Sequence, residues 1–473
     1  TGGKTVTIKT FALFAMMNQA GYSVNGATGS ARDFYYDNSH GVFDPIFDVF
    51  GPVKLDKEMA YYGANDKTTK DDLHPAEAVS EAVSLLDETV DFSEYDLDND
   101  GEVDLVYMVY AGMGEADGGD EDTIWPHQWD IRYAGINLTL DGKRIGRYAC
   151  GSELDGSGNI DGIGTICHEF GHAMGLPDFY DTDYATNGTS RTLLGYSPMD
   201  VGPYNNDGRT PPYFTMEERI MLGWLEESSI QSFQKDGVYT LEALHNNVAY
   251  KVPTDMEGEY FVFECRPREG WDRYIPSPGL IVYHVDKSAR LVSVEDAYGN
   301  ASQYPAGELW SNWSYTNAIN ENGKHPCFYV VPAVNQKNYN YSGNGSKMTF
   351  PGSSKITYFN PVSWDKVDVE ITLSEIAFSG AESTFKVSGV ASSALAYHVI
   401  DNPGNGVYSV GGSFALQLIE AEDRPYTSVK WYVDGSETSA SSVTLTAGSH
   451  VVEAEVSLTD GRKDRITLEI TAK

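Results

Sequence analysis

Basic side chains are scarce. The 473 residues carry 33 lysines and arginines against 69 aspartates and glutamates, a formal net charge of -36 with a pI near 4.5. Nucleic acids and anionic membrane surfaces need clustered Lys and Arg to displace counterions, so both are excluded as partners. Long apolar runs are missing too. The longest, 11–17 and 105–113, fall far short of the roughly 20 residues a membrane helix requires. No basic segment followed by an apolar one stands at the start, so any export signal is expected to be absent from this chain. Only four cysteines occur, Cys150, Cys167, Cys265 and Cys327; they admit three pairings into two disulfides, or none. What is present is a 41% hydrophobic fraction with 12% aromatics, enough for packed cores in about two to four domains. Abundant acid together with Gly, Asn, Ser and Thr resembles exported proteins, so a secreted, cell-surface or periplasmic location is expected.

Periodicity organises the chain, since no internal repeat is visible. Residues 75–87 predict a helix, with Val79, Ala82, Val83 and Leu86 on one face and Pro75 in the first turn. The near-continuous apolar run 103–110 predicts a strand buried on both faces. A second helix is expected over 160–174. Beyond residue 237 the texture changes to short strands, for example 260–264 and 279–285. Near the end Val452, Ala454, Val456 and Leu458 alternate with polar residues, Asp460 and Gly461 make a hairpin turn, and Ile466, Leu468 and Ile470 alternate again. With Trp431 as a core residue, this predicts an immunoglobulin-like β-sandwich. The expected class is α+β: a catalytic region 1–236, a β-rich extension 237–388 and a sandwich 389–473.

The chemistry is carried by His168, Glu169, His172, Gly175 and Asp178. At about 100° per residue the two histidines lie about 40° apart on a helix, so both imidazoles can meet one ion. Glu169 projects beside them, within reach of a metal-bound water. Ile163, Ile166, Cys167, Phe170, Ala173 and Met174 fall on the opposite, core face. Gly175 can adopt the left-handed conformation that ends the helix, and Asp178, ten residues after His168, supplies a third ligand. Three protein ligands leave a fourth position open, the geometry of a catalytic zinc. Metzincin proteases use this layout, with Asp the rarer third ligand. They also place a methionine beneath the zinc, a role that falls to Met199 in Ser197-Pro198-Met199-Asp200. A competing scheme would draft Glu217 or Glu218 as third ligand, which leaves Gly175 and Asp178 without a purpose.

At these residues the chain resembles the immune inhibitor A family of secreted bacterial metalloproteases, whose HExxHxxGLPDxYD motif corresponds to residues 168–181. Gly29-Ser30-Ala31-Arg32-Asp33-Phe34-Tyr35, Ile124-Trp125-Pro126-His127 and Phe263-Glu264-Cys265-Arg266 agree with it, and the resemblance covers about 11–388. It implies a metzincin-like fold whose first strand would precede the segment near Thr1, where none is found. It implies hydrolysis of protein or peptide substrates by a zinc-activated water, with Glu169 as general base. Metzincins often stabilise the oxyanion with a tyrosine near the methionine; Tyr204 is the candidate and Tyr196 the fallback. By the same analogy 147–153, with Tyr148, Ala149, Cys150 and Gly151, is the edge strand on which a peptide lies. His127 reads as a structural histidine beside Trp125.

Asp96-Leu97-Asp98-Asn99-Asp100-Gly101-Glu102-Val103-Asp104 reproduces nine positions of a calcium loop, with carboxylates from Asp96, Asp98, Asp100 and Asp104, a turn at Gly101 and the backbone carbonyl of Glu102. Position 12 is Tyr107, so a structural rather than signalling ion is expected. Asp181 and Asp183 suggest a further calcium site. The rival from another class is a non-catalytic, calcium-stabilised adhesin or glycan-binding protein with a vestigial zinc helix; an intact Glu169 argues against it. The C-terminal sandwich carries no catalytic constellation and is expected to contact a surface or substrate.

Overall fold

The computed structural model describes residues 12–182, 189–190, 192–295, 300–337, 345–390, 398–399, 407–419, 426–458 and 463–473. Asp183, the Asp460-Gly461 turn and the segment near Thr1 lie outside them. Two compact units emerge: 1–233 with 237–389, and 234–236 with 390–473. Helix and strand are mixed, as the composition of motifs predicts.

In the first unit, helix α1 (Ala31–Asn38) starts at a capping box in which Ser30 and Asp33 satisfy each other's backbone N–H groups. It buries Phe34 and Tyr35, and the Tyr35 hydroxyl donates to Cys167 O at 2.9 Å. Helix α2 (Pro75–Leu86) has proline in its first turn and buries Val79 and Val83. Three strands follow, β1 (Val106–Met113), β2 (His127–Asp130) and β3 (Arg147–Leu154), in the order β1-β3-β2. Strand β3 is parallel to β1 and antiparallel to β2.

This order corrects one expectation. Tyr148, Ala149, Cys150 and Gly151 sit in the central strand, paired with Val106–Val109 on one side and, through Tyr148–Cys150, with His127–Trp129 on the other. Tyr148, Ala149 and Cys150 are paired on both sides and Gly151 on the β1 side, so β3 is the central strand and not an edge; the edges of the sheet are β1 and β2.

After β3 the chain enters helix α3 (Gly164–Met174). A five-stranded sheet then forms from β4 (Ile230–Ser232), β5 (Ala249–Pro253), β6 (Glu259–Arg266), β7 (Gly279–Asp286) and β8 (Phe328–Val330), ordered β8-β7-β6-β5-β4. All eight residues of β7 are buried. Its polar members are paired: His284 with Glu259 and Tyr329, and Asp286 with Arg290 and His325. Ile166, Cys167 and Met199 share one hydrophobic core with Ile281, Tyr283 and Phe328, so the strands beyond residue 237 pack with the motif helix rather than apart from it.

The second unit contains a five-stranded sheet in which Tyr426–Val433, Gly448–Leu458 and Lys463–Ala472 run antiparallel. Val452, Ala454 and Val456 are buried with Trp431 and Ile470, the alternation that a one-sided sheet requires.

Candidate active site

Helix α3 is held at both ends. It begins at Gly164, not at residue 160, because Asp155 turns the preceding chain by accepting the N–H groups of Ser157 and Asn159. A Cβ on Gly164 would come within 2.0 Å of Pro203 O, so only glycine lets the loop around Pro203 close over the helix start. Gly175 ends the helix at φ 113°. Ile163, Ile166 and Cys167 are buried and Phe170 and Met174 pack against the same core. Ala173 departs from the expected face and lines the cleft.

His168 Nδ1 donates to Pro198 O at 2.9 Å and His172 Nδ1 to Leu176 O at 2.7 Å. These bonds fix both rings and turn their Nε2 atoms to one point, 3.2 Å apart. Asp178 Oδ1 stands 3.1 Å from His168 Nε2 and 3.2 Å from His172 Nε2. Burial would lower both histidine pKa values, but Asp178 outweighs it, raising His168 and bringing His172 up to about 9. Burial would raise the Asp178 carboxyl; the two imidazoles more than offset that and hold it well below the usual range. The pocket is thus built for positive charge, which a proton or a metal ion can provide.

Glu169 is 5% exposed, and burial pushes its carboxyl up against the opposing pull of the two histidines. Its Oε2 is buried without a hydrogen-bond partner. Two imidazole nitrogens and one carboxylate oxygen form a donor set that suits zinc, and an unpaired acceptor beside it has room for a proton. Glu217 and Glu218 join no such group. Glu217 binds Tyr260 and Lys287, while Glu218 accepts from Ser197 and the Thr215 N–H.

Met199 is fully buried beneath the helix, and a Cβ on Gly171 would approach its Sδ to 2.6 Å. Ser197 and Glu218 brace this turn: Ser197 Oγ accepts the Met199 N–H at 2.9 Å and donates to Glu218. Tyr196 is a core residue whose hydroxyl donates to Ser277 O and Gly345 O, which removes it as an oxyanion donor. Tyr204 is 55% exposed and lines the cleft.

The site forms the floor of an open cleft of about 900 Å³. Trp125, Trp129 and Tyr133 line one side along β2, and Trp313 and Tyr315 also contribute. His127 is satisfied by Trp125 O and the Tyr148 hydroxyl, a structural histidine. Two further residues line this cleft: Tyr180 is the tyrosine of the HExxHxxGLPDxYD motif, whereas Asn317 carries no local signal in the sequence. Tyr180 stacks on His168 with ring centroids 6.3 Å apart. Asn317 accepts the Asp178 N–H at 2.9 Å and donates to Asp178 Oδ2 at 2.7 Å.

In the acidic loop the carboxylates of Asp96, Asp98 and Asp104 converge, whereas Asp100 turns away to accept the Glu102 N–H at 2.8 Å. The Glu102 side chain pairs with Arg132 and Arg144. Lys143 reaches Asp96 at 2.5 Å. All four cysteines are free and buried, so none of the three pairings forms.

The site and the comparisons together support one class, a metalloprotease. The model of the immune inhibitor A peptidase M6 catalytic domain matches residues 12–214, in agreement with the family resemblance at the histidine motif. The chain is similar to the pre-pro-metalloprotease PrtV of Vibrio cholerae serotype O1, 30% identical over 213 residues, 39% of this chain and 23% of that protein. It is also similar to immune inhibitor A of Bacillus thuringiensis subsp. alesti, 26% identical over 220 residues, 40% of this chain and 31% of that protein. The chain therefore spans less than a third of the curated relatives it matches. No described helix is long and apolar enough to cross a membrane.

Proposed function

We propose that the protein is an exported zinc endopeptidase of metzincin type. The observation that carries this reading is the meeting of His168 Nε2, His172 Nε2 and Asp178 Oδ1 within 3.2 Å, beside a buried Glu169 with an unpaired oxygen. Bound there, zinc supplies a Lewis acid that brings the pKa of a bound water to about 7 and polarises the scissile carbonyl. Glu169, its carboxyl raised by burial, takes a proton from water and returns it to the leaving amine. Tyr204, on the cleft rim, donates to the developing oxyanion. Strand β2 is an edge of its sheet on the side of the cleft aromatics, and an extended peptide adds to it with its side chains against Trp125, Trp129 and Tyr133. Met199, buried against Gly171 of the helix, would brace the two histidines that hold the metal, in the manner of a Met-turn.

A structural calcium ion at Asp96, Asp98 and Asp104 belongs to the same reading, as does an immunoglobulin-like sandwich in the second unit that contacts a surface or substrate. The test is cleavage of casein or gelatin with zinc measured in the same samples. Glu169→Gln should lower kcat/KM by about 10²- to 10⁴-fold with zinc retained. Full activity in that variant, or in protein stripped by a chelator, would rule the mechanism out.

A further inference from the structure

We propose that Asn317 is a positioning residue for the metal: it fixes Asp178 as a one-oxygen ligand, and the metal centre is completed by a segment outside the 12–214 stretch that matches the peptidase family. The inference rests on the zinc reading of the site.

Asp178 offers Asn317 one donor and one acceptor. Its backbone N–H donates to Asn317 Oδ1 at 2.9 Å, and its Oδ2 accepts from Asn317 Nδ2 at 2.7 Å. An N–H can only donate and a carboxylate can only accept, so the amide has a single orientation. With Oδ2 engaged, Oδ1 is the oxygen left facing the two Nε2 atoms. Few side chains meet this demand. Asp would oppose a second carboxylate to Asp178, and Ala or Gly would leave Oδ2 unheld. The backbone adds a condition of its own, since Asn317 has φ 44° at the end of the short helix Trp313–Thr316, a conformation that Asn and Gly accept readily.

The consequence is chemical. A carboxylate with one oxygen held by an amide binds metal through the other and leaves a position for water. Released, it can bind through both oxygens and crowd that position. The same segment supplies Trp313, Ser314 and Tyr315 to the cleft, so one stretch from the β-rich part of the unit serves both metal and cleft wall.

The experiment uses the full chain, stripped of metal and titrated with zinc against a chromophoric chelator, with cobalt substitution as a spectroscopic readout. Asn317→Gly keeps the left-handed backbone and should weaken zinc about 10- to 100-fold. The intense tetrahedral-type cobalt bands should weaken as coordination expands. Asn317→Asp, which retains size, backbone preference and one acceptor, should bind zinc no better than Asn317→Gly. His168→Ala is the control and should lose zinc altogether. If both Asn317 variants match wild type in affinity and cobalt spectrum while His168→Ala loses zinc, the positioning role is overturned. If His168→Ala keeps zinc at full affinity, the metal reading itself fails.

Discussion

Gly171 stands between the two histidines, at a position the ligand pattern leaves open, yet the space there admits no side chain. The Met199 sulfur lies where its Cβ would go, 2.6 Å away. Gly171→Ala should cost about 1–3 kcal/mol, the usual range for overpacking a core, and appear as a lower urea midpoint in the metal-free protein. Met199→Ala should relieve much of that cost, so the two changes together should be less damaging than their sum. Strict additivity would mean that the Cβ finds room elsewhere. The thiols make a second prediction at this scale. Cys265 is pushed up to about 11 by burial, and burial raises Cys150, Cys167 and Cys327 too. A thiol reagent at neutral pH should therefore find none in the native protein and all four after denaturation. Fast labelling of the native fold would contradict the free, buried assignment.

Among the elements, the wall of the cleft depends on a carboxylate that no motif announces. Asp72 Oδ2 accepts the Trp125 N–H at 2.8 Å, and burial, reinforced by Glu115 and Asp71, brings its pKa up to about 7. Its native pKa lies above the unfolded value of about 3.9. The stability it contributes is therefore complete below pH about 4 and is lost as the pH rises through about 7. Asp72→Asn should flatten the fall in melting temperature between pH 4 and 7 and melt above wild type at pH 8; parallel curves would refute this. Such elements mark the limit of what the sequence discloses. The motif helix was legible because its core face, its two histidines and its terminating Gly175 follow one helical period, and Asp178 comes directly after it in the chain. Strand order was not: 147–153 precedes the helix, but chain order does not determine that β2 takes an edge and β3 the centre. Asn317 lies 139 residues from Asp178 and belongs to no pattern. Tyr180 is marked by the motif, but among the other tyrosines only burial separates Tyr196 in the core from Tyr204 in the cleft.

For the whole molecule, the net charge of -36 makes salt and specific cations act alike, and a test for calcium has to separate them. Self-repulsion among 69 acidic residues opposes the compact state, and any salt relieves it by screening. Calcium bound at Asp96, Asp98 and Asp104 would instead stabilise by mass action, saturating with concentration. It must also displace Lys143, whose ammonium holds Asp96. Two opposite substitutions follow. Asp104→Asn should abolish a saturable rise in melting temperature with micromolar to millimolar calcium while leaving the shallow response to sodium chloride intact. Lys143→Met should strengthen calcium binding, because the ion no longer competes with a resident cation. At a calcium concentration a hundredfold above its Kd the expected stabilisation is about 2.7 kcal/mol, well beyond what screening adds over the same micromolar to millimolar range. Equal responses to calcium in wild type and Asp104→Asn would reduce the loop to a solvated acidic turn held by Lys143.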